Sequence, residues 1–304
     1  MSLPVGLVAG FLLDRAVGDP TRFHPVAGFG AVAGALESRT YAASRARGVV
    51  HTATLVGVTV AASALVERST RRRPVLHTAV AAAATWAVLG GSSLEREALA
   101  VSRLLEAGRL PEARERLTHL VGRDTSSLDE SEVVRAVVES VAENTSDAVV
   151  APLLLGAVAG IPALLGYRAV NTLDAMVGHR SARYEQFGWA AARLDDLLNL
   201  PGSRLTALLA AVLGPDPREA VTTWRRDATG HPSPNAGPVE ASFAGALGVR
   251  LGGTNQYGDR TEHRHPLGTG RPCERQDIMR AVHLAHRVDR AALALATLAA
   301  LCRR

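Results

Sequence analysis

Residues 49 to 66 read VVHTATLVGVTVAASALV and carry no formal charge, while Arg47 and Glu67 flank them. A helix of this length and composition is long enough to cross the hydrocarbon core of a bilayer. Residues 75 to 91, VLHTAVAAAATWAVLGG, are similar, and only the short, charged, proline-containing stretch ERSTRRRP separates the two segments. The sequence therefore predicts an antiparallel hairpin of two membrane-spanning helices.

Further apolar runs extend this pattern. A third candidate span, residues 148 to 166, contains two prolines, and weaker candidates cover residues 3 to 13, 203 to 214 and 288 to 302. The low mean hydropathy of +0.09 also fits buried helices of a soluble, alanine-rich protein. Two uncharged runs in tandem favour the membrane, although arginines on both sides of the first run leave its orientation open. The predicted fold is all-α: a polytopic integral membrane protein with extramembrane helices and loops.

Composition narrows the function classes. The 304-residue chain has a formal net charge of +5, and arginine supplies all of its cationic side chains because the sequence contains no lysine. This excludes a GxxxxGK[ST] phosphate-binding loop and a lysine Schiff base. An arginine bias fits an anionic substrate, and a GC-rich genome also produces it. The two cysteines, Cys273 and Cys302, suggest neither a zinc site nor a disulfide framework.

The polar part of the chain shows no division into domains. Residues 92 to 118 alternate acids and arginines at helical spacing, which predicts one or two solvated helices broken near Gly108 and Pro111. Aromatic residues make up only 4% of the chain, so we expect helices that pack closely through small residues. With no internal repeat or low-complexity linker, residues 1 to 304 are predicted to form one domain. The N-terminus has no positive n-region and is not interpreted as a signal peptide.

Three acidic residues stand four positions apart in VVESVAENTSDAVVAP, residues 137 to 152. Glu139, Glu143 and Asp147 would lie on one helix that runs into the third apolar run, and like charges at this spacing repel. Near a region of low dielectric constant, a divalent cation or a cationic partner must offset that repulsion. Magnesium, which binds one or two carboxylates together with substrate phosphates, fits this demand. We call these three residues the acidic ladder.

Part of the acidic ladder also has a structural explanation. Ser127 and Glu130 have capping-box spacing, so the helix is predicted to begin near residue 128. Arg135 lies one turn before Glu139 and can pair with it. This pairing accounts for Glu139 but leaves Glu143 and Asp147 without a local arginine.

Three other polar clusters are weaker candidates for a functional site. Each one can also be a turn or a pattern of charges at a helix end. The clusters are Asp14, Asp19 and His24 around a Gly-Asp-Pro turn; Asn171 and Asp174 with Arg168 and Arg180 near the helix ends; and Asp195, Asp196 and Asn199 within one turn.

The stretch RRDATGHPSPNAGPVE is predicted to contain a loop rather than a continuous helix. Prolines and glycines between Gly230 and Pro238 predict a rigid loop, which offers His231, Ser233 and Asn235 beside Arg225 and Arg226 in the sequence. Such a loop suits the binding of a phosphate group. It can equally be a connection between helices.

Four stretches together resemble one known family. They are DRAVGDPTRFHPVAGFG, GRDTSSLDESEVVRAVVESVAENTSDAVVAPL, YRAVNTLDAMVGHRSARYEQFGWAAARLDDLLNLPGSRL, and HPSPNAG followed by AGALGVRLGG. In this order they are similar to the CobD/CbiB family, the adenosylcobinamide-phosphate synthases of cobalamin biosynthesis. The resemblance runs from about Asp14 to Tyr257.

The resemblance implies a multi-pass enzyme of the inner, cytoplasmic membrane. Such an enzyme joins adenosylcobyric acid to (R)-1-amino-2-propanol O-phosphate, or to aminopropanol, through an amide bond, with ATP as co-substrate and Mg²⁺ as cofactor. It implies contact with membrane lipid and with other late enzymes of cobalamin assembly, and no nucleic acid. ATP would activate the corrin carboxylate as an acyl phosphate before the amine attacks.

The resemblance also implies roles for the polar clusters. Glu139, Glu143 and Asp147 would hold magnesium or act as the catalytic base, with Asp174 as a further catalytic candidate. The remaining candidates would bind the substrates: Asp14, Asp19, His24, Arg168, Asn171, Arg180, Asp195, Asp196, His231, Ser233 and Asn235.

Two departures from the family pattern limit these assignments. NAGPVEASFAGAL lacks the aromatic residue that many relatives have before the proline, and the tail from Asp259 to Arg275 is polar and poorly matched, so His263 and His265 are expected to be solvated.

The residues alone also allow a transporter whose intramembrane acids carry ions or protons. The long polar segment 92 to 146 favours the enzyme, as does the absence of paired inverted halves.

Overall fold

A computed structural model describes residues 2–20, 24–179, 181–257 and 260–302. About 78% of the chain is helical, so the prediction of a mainly helical protein is confirmed. The fold is not purely α, because two antiparallel strands, β1 (Leu251–Tyr257) and β2 (Arg260–Leu267), form a small sheet. Arg180 lies outside the described residues.

The chain forms two compact units, and each is built from separate stretches of sequence. The first unit comprises Met1–Gly90, Ala151–Asn199 and Leu293–Arg304, and the second comprises Gly91–Val150 and Leu200–Ala292. The single domain predicted for residues 1 to 304 stays a prediction.

The helices of the first unit lie mainly in the first third and the middle of the chain. They are α1 (Ser2–Val17), α2 (Pro25–Thr40), α3 (Arg45–Thr70), α4 (Pro74–Val88), α8 (Ala151–Ala159), α9 (Ile161–Leu173), α10 (Tyr184–Phe187) and the beginning of α11 (Trp189–Leu213), with the end of α14 (Gln276–Cys302) and a π-helical turn at Asp174–Gly178.

The two long apolar runs form α3 and α4, joined by the three residues from Arg71 to Arg73. Two segments, Arg45–Thr70 and Pro74–Glu106, are long and apolar enough to cross a membrane by length and composition. Only 22% of the most apolar window in Arg45–Thr70 is buried within the protein. The second segment covers α4 and α5 and is interrupted at Leu89, whose backbone is extended.

Small residues set the distance between α1 and α4, as the composition predicts. A Cβ placed at Gly6 would lie 2.4 Å from the Cβ of Ala81, and one at Gly10 would lie 2.4 Å from the Cβ of Thr85. Only glycine allows these two helices to approach so closely.

The third predicted span is not one continuous helix. Residues 148 to 166 contain part of a π-helical turn (Ser146–Val150), then α8, a break at Gly160 and the first part of α9. Gly160 has a φ of 83°, which favours glycine, and glycine has no side chain that could cap α9. The carboxylate of Glu67, on α3, supplies the cap instead because its Oε2 accepts a hydrogen bond from the N–H of Ile161 at 3.1 Å.

The second unit contains the remaining helices and the sheet. They are α5 (Gly91–Glu106), α6 (Leu110–Leu117), α7 (Glu130–Thr145), the π-helical turn at Ser146–Val150, the end of α11, α12 (Pro217–Asp227), a 3₁₀ turn (Ala228–Gly230), α13 (Ala236–Leu247), β1, β2 and most of α14. Its core is formed by side chains such as Val134, Val137 and Phe243, which are fully buried. Both α7 and α13 therefore lie in the interior of this unit.

Several predicted boundaries in this unit are confirmed and others shift. The break near Gly108 separates α5 from α6 as expected. The capping box before α7 is formed by Asp129 and Glu132 rather than by Ser127 and Glu130, so the helix begins at Glu130. The rigid loop is also shorter than predicted, because Gly237 and Pro238 already belong to the first turn of α13.

Candidate functional site

The three residues of the acidic ladder lie in three different environments of the second unit. Glu139, on α7, is only 5% exposed, whereas Glu143, one turn later, is exposed. Asp147 is half-buried and lies in the π-helical turn that follows α7. The predicted spacing of one helical turn therefore holds for the first two residues, while the wider π-helical turn carries the third. Such turns are frequent at functional sites.

Both carboxylate oxygens of Glu139 accept hydrogen bonds from protein groups. Arg123 donates to Oε2 at 2.9 Å, and Arg135 donates to Oε1 at 3.2 Å. The backbone N–H of Gly252 donates to Oε1 at 2.8 Å. The predicted pair of Arg135 and Glu139 is thus confirmed, and Arg123 is a second partner that sequence reasoning missed. Glu139 connects α7 to β1 and to the segment before α7.

The sheet supplies backbone groups that bind both Glu139 and Arg135. The strand register shifts between Leu251 and Gly253, as in a β-bulge, and leaves the backbone groups of Gly252 outside the regular ladder. Gly252 has a φ of 78°, and its carbonyl accepts a hydrogen bond from Arg135. A Cβ at this position would lie 2.3 Å from the carbonyl oxygen of His265, so the bulge requires glycine.

A second buried acid, Glu240 on α13, belongs to the same unit and was not predicted. It is 1% exposed, and its Oε1 lies 3.8 Å from Nε2 of His231. Among the described residues, its Oε2 has no hydrogen-bond partner. Burial, reinforced by the charges of Glu139 and Glu143, raises the pKa of Glu240 well above its ordinary value. Burial lowers the pKa of His231.

The loop between Gly230 and α13 is held by its own polar side chains. The backbone N–H of Ser233 donates to Nδ1 of His231 at 3.1 Å, and Oγ of Ser233 accepts from the N–H of Asn235 at 3.2 Å. Oδ1 of Asn235 accepts from Arg204 at 2.9 Å. The arginine that contacts this loop is therefore Arg204, from α11.

The two arginines that the sequence places beside this loop are positioned differently. Arg226 pairs with Asp227 at 2.7 Å, and both Arg225 and Arg226 are exposed. His263 and His265 are exposed, as expected. A phosphate-binding role for the loop stays a prediction.

In the first unit, two predicted clusters meet through Asp195. Its Oδ1 accepts a hydrogen bond from the amide of Asn171 at 3.3 Å, and its Oδ2 accepts from the amide of Asn199 at 2.8 Å. The hydroxyl of Tyr167 donates to Oδ1 of Asn199 at 2.7 Å. Asp195 is 8% exposed, and burial raises the pKa of its carboxyl group. Arg168 extends the network by donating to Oδ1 of Asn171 at 3.4 Å.

The other acids of these clusters lie near the network by sequence but in different local settings. Asp196 pairs with Arg193 at 3.5 Å. Asp174 is half-buried at the start of the second π-helical turn, where a Cβ at Gly178 would lie 1.8 Å from its Oδ1. Gly178 therefore leaves room for the Asp174 side chain.

The N-terminal cluster has the features of a structured turn. Nε2 of His24 lies 3.3 Å from Oδ1 of Asp19, and Nδ1 of His24 accepts from the N–H of Val26 at 3.1 Å. His24 is thus the N-cap of α2. Asp14 is buried within α1 at 1% exposure. The substrate-binding roles of these three residues stay predictions.

The carboxylates of the ladder belong to a ligand class that suits magnesium. Carboxylate oxygens are preferred ligands, and one or two suffice when substrate phosphates complete the shell. Both oxygens of Glu139 accept protein hydrogen bonds, and Glu143 and Asp147 also interact with other groups of the protein. Within the described part of the chain, no group of three or more His, Cys, Asp or Glu side chains is placed to hold a metal ion. Magnesium at the ladder stays a prediction.

Comparison with known proteins gives one consistent result. Residues 7–285 match the family described as CobD/Cbib protein. The chain is 52% identical to the Cobalamin biosynthesis protein CobD of Mycobacterium tuberculosis over 299 residues, which cover 97% of this chain and 95% of the relative. Proteins of the same name from Chromobacterium violaceum and Rhodobacter capsulatus are 45% and 41% identical over 295 and 298 residues. These alignments cover 94% of this chain and 91% and 94% of the relatives. No solved structure matches the chain.

Proposed function

Because the chain belongs to the CobD/CbiB family, we propose that it is the ligase that forms the amide bond of adenosylcobinamide phosphate in cobalamin biosynthesis. It joins the free propionate carboxylate of adenosylcobyric acid to (R)-1-amino-2-propanol O-phosphate, or to aminopropanol, at the expense of ATP. The observation that carries this proposal is the family match over residues 7–285, which includes the acidic ladder and the His231–Asn235 loop.

The reaction sets clear chemical demands. A carboxylate is a poor electrophile, so its oxygen first attacks the γ-phosphorus of ATP, and ADP leaves. The amine nitrogen then attacks the carbonyl carbon of the acyl phosphate, inorganic phosphate leaves, and the proton of the amine passes to a base. The protein must therefore bind two phosphate-bearing reactants, exclude water and supply a proton acceptor.

The acidic ladder of the second unit offers groups for these tasks. Glu139 fixes α7 against β1 by accepting a hydrogen bond from the N–H of Gly252, and Arg123 and Arg135 hold its carboxylate in place. The exposed Glu143 lies one turn further along the same helix. Glu143 is our candidate for the proton acceptor. Glu143 and Asp147 would hold magnesium, which supplies charge neutralisation for the phosphates when bound. A role for Glu139 in direct contact with the metal has less support, because its oxygens already accept three protein hydrogen bonds.

The first unit offers a different set of groups. Within the described residues, Asp195 accepts hydrogen bonds from the neutral amides of Asn171 and Asn199, and Arg168 extends this network by donating to Asn171. Amide and guanidinium groups of this kind suit the side-chain amides of a corrin ring or a phosphate group. We assign substrate binding to this network, with Asp196 as a further candidate, and Asp174 stays a candidate for the catalytic chemistry.

A location in the inner membrane, with several spans, is part of the proposal. It is supported by α3, whose long apolar surface is covered by little of the protein: Val58 is 64% exposed and Leu65 is 70% exposed. Exposed apolar surface of this extent marks contact with lipid or with another protein. Lipid and the other late enzymes of cobalamin assembly are the proposed partners.

Turnover by the purified full-length protein in detergent tests the proposal. The protein receives adenosylcobyric acid, aminopropanol phosphate, ATP and Mg²⁺, with each omitted in turn, and mass spectrometry identifies the corrinoid product. We expect an amide product that requires both ATP and Mg²⁺. Folded protein that gives no product with either aminopropanol or its phosphate would contradict the proposal, and a flux measurement in vesicles would then test transport.

A further inference from the structure

Arg204 differs from the buried arginines of the second unit in having no negative partner. Its Nη1 donates to Oγ of Ser203 at 2.8 Å and to Oδ1 of Asn235 at 2.9 Å, and both acceptors are neutral. In the described part of the chain, no carboxylate lies within ion-pair distance of it. Arg123 and Arg135, by contrast, both donate to Glu139.

The surroundings of Arg204 add positive potential. Asn235 is the N-cap of α13, a helix of 12 residues, yet its side chain accepts from Arg204 and Ser203 and does not cap the helix. The amino end of a helix carries a partial positive charge. Ser203 and Asn235 are buried and Arg204 is half-buried, so solvent screens this charge only partly. A half-buried cation beside a helix N-terminus is costly without a counter-ion.

The remaining donors of Arg204 have the geometry for an anion. Among the described residues, hydrogen bonds engage only Nη1, which leaves the edge formed by Nε and Nη2 available. That edge presents two parallel N–H groups, the arrangement that binds phosphate in a bidentate manner. Oγ of Ser233 accepts two backbone N–H groups, so its own hydrogen remains as a further donor on the same loop.

We propose that Arg204, with the loop residues Ser233 and Asn235, forms a phosphate-binding site. The ligand class is a phosphate monoester or the terminal phosphate of a nucleotide. The identity of the ligand rests on the proposed function, which supplies two such groups: the phosphate of the aminopropanol substrate and the phosphates of ATP. Arg204 replaces Arg225 and Arg226 as the cation of this loop.

Three substitutions distinguish loss of the site from loss of the fold. Arg204→Gln removes the charge and the donor edge. Arg204→Lys keeps the charge but loses the bidentate geometry. Asn235→Asp places a carboxylate 2.9 Å from Nη1 of Arg204 in the original side-chain position, so an internal ion pair neutralises the charge that would attract a phosphate. Aspartate also suits the N-terminus of α13, so this variant should fold at least as well as wild type.

Arg218→Gln is the matched control. Arg218 is exposed on the first turn of α12, in the same unit, and within the described residues its side chain makes no hydrogen bond or ion pair. The same arginine-to-glutamine change there alters net charge equally without touching the loop.

Isothermal titration calorimetry on the full-length protein in detergent provides the test. The probes are aminopropanol phosphate, free aminopropanol, ATP and inorganic phosphate, and Tm is measured for every variant. We expect Arg204→Gln and Asn235→Asp to bind one of the phosphorylated probes about 10- to 100-fold more weakly than wild type does. The affinity of Arg204→Lys for that probe should lie between those of these variants and wild type, and the affinity of Arg218→Gln should equal that of wild type. The probe whose affinity falls identifies the source of the phosphate.

Two results would overturn the site. One is a folded Arg204→Gln protein that binds every phosphorylated probe as tightly as wild type. The other is wild-type protein that binds none of these probes. Binding does not require turnover, so Arg204-dependent phosphate binding without amide formation would leave the site standing while removing the proposed function.

Discussion

Glu139 and Asp195 are both buried carboxylates of the predicted site, but the two units hold them in opposite ways. Glu139 is held by two guanidinium groups and a backbone N–H, a charge-assisted network that ties α7 to β1. Asp195 is held by two neutral amides, and burial raises the pKa of its carboxyl group. Similar acidic motifs therefore produce a structural ion pair in one unit and a weakly acidic, polar network in the other.

The partners of a buried carboxylate determine whether it is available for chemistry. A carboxylate that already pairs with two cations contributes mainly to stability, since removing it leaves buried charges unpaired. A buried acid without a cation is poised to change its protonation state or its partners.

Glu139→Gln should produce the largest loss of stability. It keeps the shape of the side chain but leaves Arg123 and Arg135 buried without their negative partner. Breaking a buried pair in this way costs roughly 3–5 kcal/mol. Denaturant unfolding in detergent, followed by tryptophan fluorescence, measures the change.

Glu115→Gln is the control for this substitution. Glu115 is exposed on α6, in the same unit. Its substitution should change the free energy of unfolding by less than about 0.5 kcal/mol. If Glu139→Gln proves as mild as Glu115→Gln, Glu139 is not the structural clamp described here.

Tyr167→Phe probes the neutral network of the first unit with a smaller effect. The substitution nearly conserves volume and removes the donor to Oδ1 of Asn199, which is fully buried. Leaving a buried acceptor unsatisfied costs about 1–3 kcal/mol. The same unfolding measurement should show a loss below that of Glu139→Gln, and a larger loss would reverse the ranking of the two networks.

Asp195→Asn should have the smallest effect, and that effect should depend on pH. The hydrogen bond from Arg168 to Oδ1 of Asn171 is long, at 3.4 Å, so the Asn171 side chain can give it up and rotate. Its oxygen can then accept a hydrogen bond from the new amide at position 195. Burial raises the pKa of Asp195 above its ordinary value of 3.8, so the folded protein binds this proton more tightly than the unfolded chain. The stability that Asp195 contributes is then fully present below pH 3.8 and is lost as pH rises through the folded pKa.

Tm measured against pH for both proteins checks this sign. Wild type should gain stability relative to Asp195→Asn as the solution is acidified from neutral pH. A constant difference in Tm across the series would show that folding does not change the pKa of Asp195, and a difference of opposite slope would show that folding lowers it; either result contradicts the raised pKa.

Local patterns predicted much of this architecture. The two consecutive apolar helices α3 and α4, the break at Gly108 and the pair of Arg135 and Glu139 depend on residues within a few turns of each other. For such features, hydrophobic runs, glycine and helical spacing carry the information. The close contact of α1 with α4 through Gly6 and Gly10 also agrees with a composition rich in small residues.

The missed features depend on contacts between distant residues. Arg123 reaches Glu139 only because the segment before α7 folds back on it, and the bulge at Gly252 lies in strands with little apolar alternation. Glu240 occurs in a plain helical sequence, and nothing local marks it as buried. The π-helical turns at Asp147 and Asp174 each add a residue to a helical turn, and hydrophobic periodicity does not mark such an insertion.

Turnover by Glu143→Gln, measured together with its Tm, tests whether the exposed acid of the ladder carries the chemistry. The buried Glu139 contributes to stability, and the exposed Glu143, one turn away, is the proposed proton acceptor. We expect a Glu143→Gln protein with the Tm of wild type and no amide product from adenosylcobyric acid, aminopropanol phosphate, ATP and Mg²⁺. Product formation at the wild-type rate by that folded variant would show that Glu143 is not the proton acceptor.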